Sequence, residues 1–267
     1  MREIQEESEY NYTPPSLTRT KEDPFIKAKL SKFWLVVWHF FVNLLLRRRF
    51  YSVRVKNAKH YDLINKDYPC IYYTQHTCWW DGMVGYYLFH YLFKDIAYMM
   101  IEDLIKFPLF HTVGAFSIDK KSPRTAMKSL KYCIEFMTKE KRSLWIFPQG
   151  KINPPNHRPI EFQKGMAFIA EKVGKVNLVP ITMQYPFLRL GLPEVLIDVG
   201  KPIVLNGEKI NIDEFNKFLE EDFTKLADNQ LKEISNGEVD KYDTIMYRKK
   251  AGLGKHLERL ARDRKFE

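Results

Sequence analysis

Cysteine is scarce in this chain, and its scarcity excludes several classes at once. Cys70, Cys78 and Cys133 are the whole supply among 267 residues. Their number is odd and their spacing matches no paired metal-ligand pattern, which argues against a disulfide scaffold and a zinc site and fits a reducing compartment. A secretory signal peptide is also missing from the start: residues 1–24 are polar, rich in Glu, Thr and Pro, and read as a flexible arm. No apolar run reaches the roughly 20 residues that a clean bilayer span needs. There is no internal repeat, no low-complexity block and no common nucleic-acid module, so nucleic acid is not an expected partner.

What is present is positive charge. Lys and Arg number 43 against 33 Asp and Glu, a net charge of +10, which calls for an anionic partner. The basic residues lie beside apolar runs, and this points to a membrane surface. The greasiest stretch, Phe33 to Leu46, is 14 residues long, roughly 21 Å as a helix against a bilayer core of about 30 Å. On a helical wheel Lys32, His39 and Asn43 form one narrow polar stripe, and Arg47-Arg48-Arg49 closes the run. Residues 25–50 are therefore expected to form an amphipathic, membrane-associated helical segment; the competing reading is a buried core helix. The arginines suggest the cytoplasmic face.

Beyond the arginines, strand and helix patterns alternate. Strands are expected at 51–56, 69–75, 96–101, 113–118, 143–147, 177–184 and 195–199. Helices are expected at 82–93, 163–173 and 212–234, with a short helical piece at 104–110 stopped near Pro108. A further helix opens at Ser122 as N-cap, with Pro123 in the first helical position, and runs to about residue 140. This is an α/β pattern: a mixed, mostly parallel sheet flanked by helices, with sites at strand ends. Residues 51–210 form the expected catalytic domain, and residues 211–267 a helical extension with a basic tail.

The chemistry-bearing residues sit at strand exits. His76 ends one strand and Asp81 begins the next helix. Residues five apart in a continuous helix point about 140° away from each other, so contact between them needs the bend that a strand-to-helix turn supplies. A base with an orienting acid suits proton removal from a hydroxyl. The other His-x4-Asp pair, His90 and Asp95, lies within a helical stretch and reads as a packed histidine. Cys78, between His76 and Asp81, offers a covalent alternative. Phe147-Pro148-Gln149-Gly150-Lys151 follows another strand, and its turn offers backbone N–H groups for an oxyanion or an acceptor. Lys120 and Lys121, followed by Arg124, end a third strand and make a candidate phosphate grip.

In this order the pieces resemble the glycerolipid acyltransferase family, which includes the 1-acyl-glycerol-3-phosphate acyltransferases. Gln75-His76-Thr77-Cys78-Trp79-Trp80-Asp81 looks like its Asn-His-x-Ser-x-x-Asp motif, and Gly114 through Lys120 is similar to its second motif. Phe147 through Ile152 resembles Phe-Pro-Glu-Gly-Thr-Arg, and Val179-Pro180-Ile181 the fourth motif. The resemblance implies that His76 is the catalytic base and Asp81 its partner. It implies that Lys120, Lys121 and residues 147–151 bind substrate. It further implies a membrane-associated O-acyltransferase that moves a fatty acyl group from acyl-CoA or acyl-carrier protein to a hydroxyl of a lysophospholipid or related lipid, with no cofactor or metal. Gln149 stands in place of a carboxylate and Ile152 in place of an arginine, so acceptors with a headgroup other than glycerol phosphate, or a glycosylated lipid, stay open. A lipid or thioester hydrolase and a non-catalytic membrane lipid-binding module are the other readings.

Overall fold

A computed structural model of the chain describes residues 25–102, 104–119, 123–188 and 191–248. The expected arm at 1–24, the cations Lys120 and Lys121, the cap Ser122 and the end of the basic tail lie outside the described residues. Among the described residues nine strands run in chain order: β1 (Ser52–Lys56), β2 (Cys70–Tyr73), β3 (Ala97–Ile101), β4 (Ala115–Ser117), β5 (Ser143–Ile146), β6 (Lys175–Gln184), β7 (Val195–Val199), β8 (Ile203–Asn206) and β9 (Asp243–Tyr247). The helices are α1 (Lys32–Arg49), α2 (Trp80–Leu88), α3 (Pro123–Lys139), α4 (Gly165–Val173) and α5 (Ile212–Ser235).

The strands form one sheet in the order β4-β3-β5-β2-β6-β7-β1-β9, with β8 also paired to β6. Pairings from β4 across to β6, and that of β1 with β7, are parallel; β6–β7, β6–β8 and β1–β9 are antiparallel. The sheet is thus mixed and mostly parallel, as the alternating pattern suggested. Side-chain alternation along β2 assigns the two faces. Cys70 and Tyr72 join a core with α1 and α2, whereas Ile71 and Tyr73 join one with α3, α4 and α5.

Two strands escaped the sequence reading. β8 has four residues, and β9 lies where only a tail was expected. β9 buries one large apolar side chain, Met246, so its pattern is weak, yet it pairs with β1 and closes that edge of the sheet. Tyr247 fixes it further through its hydroxyl, 2.8 Å from that of Tyr51, and through its carbonyl, which accepts from Arg47 at 2.9 Å. The piece at 104–110 is likewise different: two 3-10 segments, Leu104–Lys106 and Pro108–Val113, with Pro108 opening the second instead of ending a helix.

α1 is a regular helix whose sidedness is the reverse of a soluble one. Ser31 caps it, Arg47 to Arg49 occupy its last turn, and only Val42 and Leu46 are buried. This rules out the buried-core reading. Phe33, Val36, Phe40 and Leu44, one stripe at helical spacing, are 67%, 72%, 72% and 46% exposed. Of the expected polar stripe, His39 and Asn43 are half-buried: the His39 ring lies 6.1 Å from that of His90, and Asn43 accepts from Arg47 Nε at 2.6 Å. One apolar stripe faces outward, while His39 and Asn43 turn inward beside the buried Val42 and Leu46. No helix among the described residues is long and apolar enough to cross a membrane.

One glycine fixes how close α2 lies to the sheet. A Cβ added at Gly85 would stand 2.7 Å from the Trp145 ring. That ring is itself pinned by Phe89 and Phe147, with centroids 4.8 and 5.2 Å away. Alanine gains up to about 1 kcal/mol in helix propensity, but overpacking a filled core costs about 1–3 kcal/mol. Gly85→Ala is therefore expected to lower Tm by a few degrees, measurable by calorimetry.

Candidate active site

The site lies at the carboxyl ends of the central parallel strands β2 and β5. Their register pairs Tyr73 with Ile146, so both chains leave the sheet side by side, the usual place for a site in such a fold. The residues just beyond are His76 and Phe147, whose rings stack at 4.2 Å and 19°. The Asn153 amide donates to the His76 carbonyl at 2.8 Å, tying the two exits together.

His76 and Asp81 do meet. His76 Nδ1 is 3.0 Å from Asp81 Oδ2, across the turn that ends β2 and opens α2. The His76 side chain is 24% exposed and that of Asp81 is 0% exposed. With an acceptor-only carboxylate at Nδ1, the neutral ring carries its proton there and keeps a lone pair on Nε2. Asp81 also serves as the turn's cap: its Oδ2 accepts from the amides of Thr77 (2.6 Å) and Cys78 (2.9 Å). One carboxylate oxygen thus holds both the turn and the imidazole.

Asp81 Oδ1 has a partner that sequence reading missed. The Tyr185 hydroxyl donates to it at 2.6 Å. Burial first, then the Asp81 charge, pushes the Tyr185 phenol well above its ordinary value, so it stays a donor. Tyr185 directly follows β6, the neighbour of β2 on the side away from β5. The signal was its position at the exit of the strand carrying Val179-Pro180-Ile181. Tyr185→Phe removes that donor from a buried carboxylate and is expected to lower kcat by about 10-fold with KM little changed. Steady-state kinetics checks this; a rise in KM at constant kcat would assign Tyr185 to binding instead.

Cys78 is poorly placed to act as a nucleophile. Its thiol faces Asp81 Oδ1 at 3.7 Å, and burial, then the Asp81 charge, pushes it up to about 11. At pH 8 only about one thiol in a thousand is ionised, and the thiolate is the reactive form. Cys78→Ala is expected to keep kcat within about 3-fold, and iodoacetamide at pH 8 to leave the enzyme active; rapid inactivation would contradict this.

The second His-x4-Asp pair stays apart. His90 Nδ1 faces the Tyr86 carbonyl at 3.3 Å, whereas Asp95 accepts from Tyr72 and Ser143 at 2.7 and 2.6 Å. Burial lowers the His90 imidazole below its ordinary value.

The other expected site residues divide. Phe147 packs on His76, and the Pro148 carbonyl accepts from the Gln163 amide at 2.8 Å. Gln149 is buried, whereas Lys151 is exposed. Gly150 takes a φ of +70°, which favours glycine, but its amide donates to the Phe147 carbonyl at 3.0 Å. The Gly150 N–H closes its own turn. Arg124 is exposed at the start of α3. A small apolar cavity of about 40 Å³ includes Gly82 and Met83, the two residues after Asp81 in the chain. Trp38 of α1, Tyr86 of α2, Phe110 and Trp145 line its walls.

Similarity to known proteins fits this geometry. A family model described as Acyltransferase matches residues 53–184. The 1-acyl-sn-glycerol-3-phosphate acyltransferase of Streptococcus pneumoniae is 31% identical over 157 residues, 56% of this chain and 56% of its own length. The Saccharomyces cerevisiae protein of the same name is 27% identical over 131 residues, 45% of this chain and 41% of its own. The chain thus spans about half the length of the curated relatives it matches. The fold is similar to the crystal structure of the 1-acyl-sn-glycerophosphate (LPA) acyltransferase PlsC from Thermotoga maritima, with TM-score 0.55 and 20% identity, covering 74% of this chain and 80% of that one. Over residues 53–184 the chain is thus similar to acyltransferases, and the curated relatives it matches carry the name 1-acyl-sn-glycerol-3-phosphate acyltransferase.

Proposed function

We propose that this protein transfers a fatty acyl group from acyl-CoA or acyl-carrier protein to a hydroxyl of a lysophospholipid at a membrane surface, with His76 as general base. The observation that carries the reading is the His76–Asp81 contact at 3.0 Å, with the outward ring nitrogen free of the carboxylate. Nε2 takes the proton of the acceptor hydroxyl as its oxygen attacks the thioester carbonyl. The C–S bond then breaks, and the departing thiolate takes that proton from the imidazolium. Asp81 holds the ring in the required tautomer and stabilises the cation, so no enzyme nucleophile is needed.

The small cavity lined by Gly82, Met83 and Trp38 supports the acyl half of the reading, because its walls are apolar and include residues of the helix that Asp81 opens. The outward apolar stripe of α1 and its terminal arginines support docking on an anionic bilayer from the cytoplasmic side. Phe147 to Lys151, with Lys120 and Lys121, are the proposed acceptor contacts. The names of the relatives favour 1-acyl-glycerol 3-phosphate as acceptor, whereas Gln149 and Ile152 leave room for a less charged headgroup.

The test is to incubate purified protein with labelled long-chain acyl-CoA or acyl-carrier protein, with and without lysophosphatidic acid and other lysolipids. The expected product is diacyl lipid, formed only when an acceptor is supplied. Free fatty acid released at the same rate without acceptor would identify a hydrolase. Intact thioester under all conditions would leave a lipid-binding module.

A further inference from the structure

We propose that the segment Leu104–Val113, between β3 and β4, is a second membrane-insertion element that enters the bilayer interface beside α1. The inference rests on the membrane-surface reading above and extends it to a part of the catalytic domain.

Three side chains of this segment, Ile105, Phe107 and Leu109, are 44%, 41% and 51% exposed. They do not merely decorate a mobile loop. Leu104 is buried at their base, Phe107 stacks on Phe110 at 5.2 Å, and Phe110 packs edge-on against Trp38 of α1 at 4.9 Å. The chain just before α1 is bonded to the same segment, from the Lys29 amide to the His111 carbonyl (2.8 Å) and from the Ser31 amide to the Thr112 carbonyl (2.9 Å). The segment and α1 are therefore packed against each other, and both carry exposed apolar residues.

Backbone chemistry is compatible with a lipid environment. A chain entering hydrocarbon must satisfy its polar groups internally. Here the 3-10 turns do so: Phe107 donates to Leu104, Phe110 to Phe107 and Gly114 to His111, while the Thr112 hydroxyl donates to the Leu109 carbonyl at 2.6 Å. Charge selects the partner. Lys29 and Lys32 are exposed where the segment joins α1, Arg47 to Arg49 stand at the other end of the helix, and α1 itself contains no acid. An apolar face with cations at both ends fits a bilayer containing anionic headgroups. The element is short, so insertion is shallow, at the level of the headgroups and first methylenes.

The experiment uses the full chain and sedimentation with vesicles of phosphatidylcholine and phosphatidylglycerol. The triple variant Ile105→Ser, Phe107→Ser, Leu109→Ser is expected to bind about 10- to 100-fold more weakly than wild type, since three exposed apolar groups lose their transfer into lipid. In a second measurement, Leu109→Cys in a Cys78→Ala background carries an environment-sensitive fluorophore. Its emission is expected to shift to the blue on vesicle addition and to be quenched by lipids spin-labelled near the carbonyl. Wild-type binding with an unweakened triple variant, or an unshifted fluorophore, would overturn the inference alone. Failure of the wild type to sediment would overturn the membrane reading itself.

Discussion

His76→Ala is expected to reduce kcat/KM for acyl transfer by ~10³-fold, within the 10²–10⁴ range of a positioned general base. The imidazole is only part of the local packing, since it is partly exposed and lies flat on Phe147. Its removal should leave the fold intact, and thermal unfolding within a few degrees of wild type would confirm that the loss is chemical. Lysophosphatidic acid and a long-chain acyl-CoA are suitable probe substrates. Turnover near the wild-type rate would remove His76 from the mechanism.

Asp81→Asn is the more instructive change. All three N–H donors around this carboxylate, from His76, Thr77 and Cys78, converge on Oδ2, while Tyr185 donates to Oδ1. An asparagine that places its carbonyl at Oδ2 keeps the turn and the imidazole tautomer; its NH2 then faces a Tyr185 oxygen able to accept. What disappears is the negative charge that stabilises the imidazolium during attack. The expected loss in kcat is about 10²-fold with KM nearly unchanged, smaller than when the wrong tautomer is enforced. Asp81→Ala additionally leaves buried donors without a partner and is expected to lower Tm. If Asn and Ala variants lose equal activity while the Asn variant folds normally, the charge carries the whole effect of Asp81 on catalysis.

The parts of this site that could be read in the sequence were local. A histidine at a strand exit and an aspartate at the following helix start specify a bend between them, and the bend brings them to 3.0 Å. The alternating apolar runs likewise determine the mixed sheet. What stayed hidden was set by contacts distant in sequence. Tyr185 meets Asp81 across 104 positions because β6 adjoins β2; its place at the exit of β6 is the one local signal, and the contact itself is set by the strand pairing. β9 is specified by pairing with β1, which lets a strand form with little apolar periodicity. The sidedness of α1 was half legible. Its polar stripe could be placed on the wheel, but that His39 and Asn43 turn inward follows from docking against α2 and the segment at 108–113. At Gly150 the sequence identifies the turn, and the structure adds that its amide is engaged within it.

The central claim is direct proton removal from the acceptor by His76 while the acyl donor is still bound, and the pattern of initial rates tests it most directly. Rates measured against acyl-CoA at several fixed lysolipid concentrations should give intersecting double-reciprocal lines, because both substrates occupy the site before any bond breaks. Parallel lines, accompanied by an acyl group covalently retained on the protein, would contradict it.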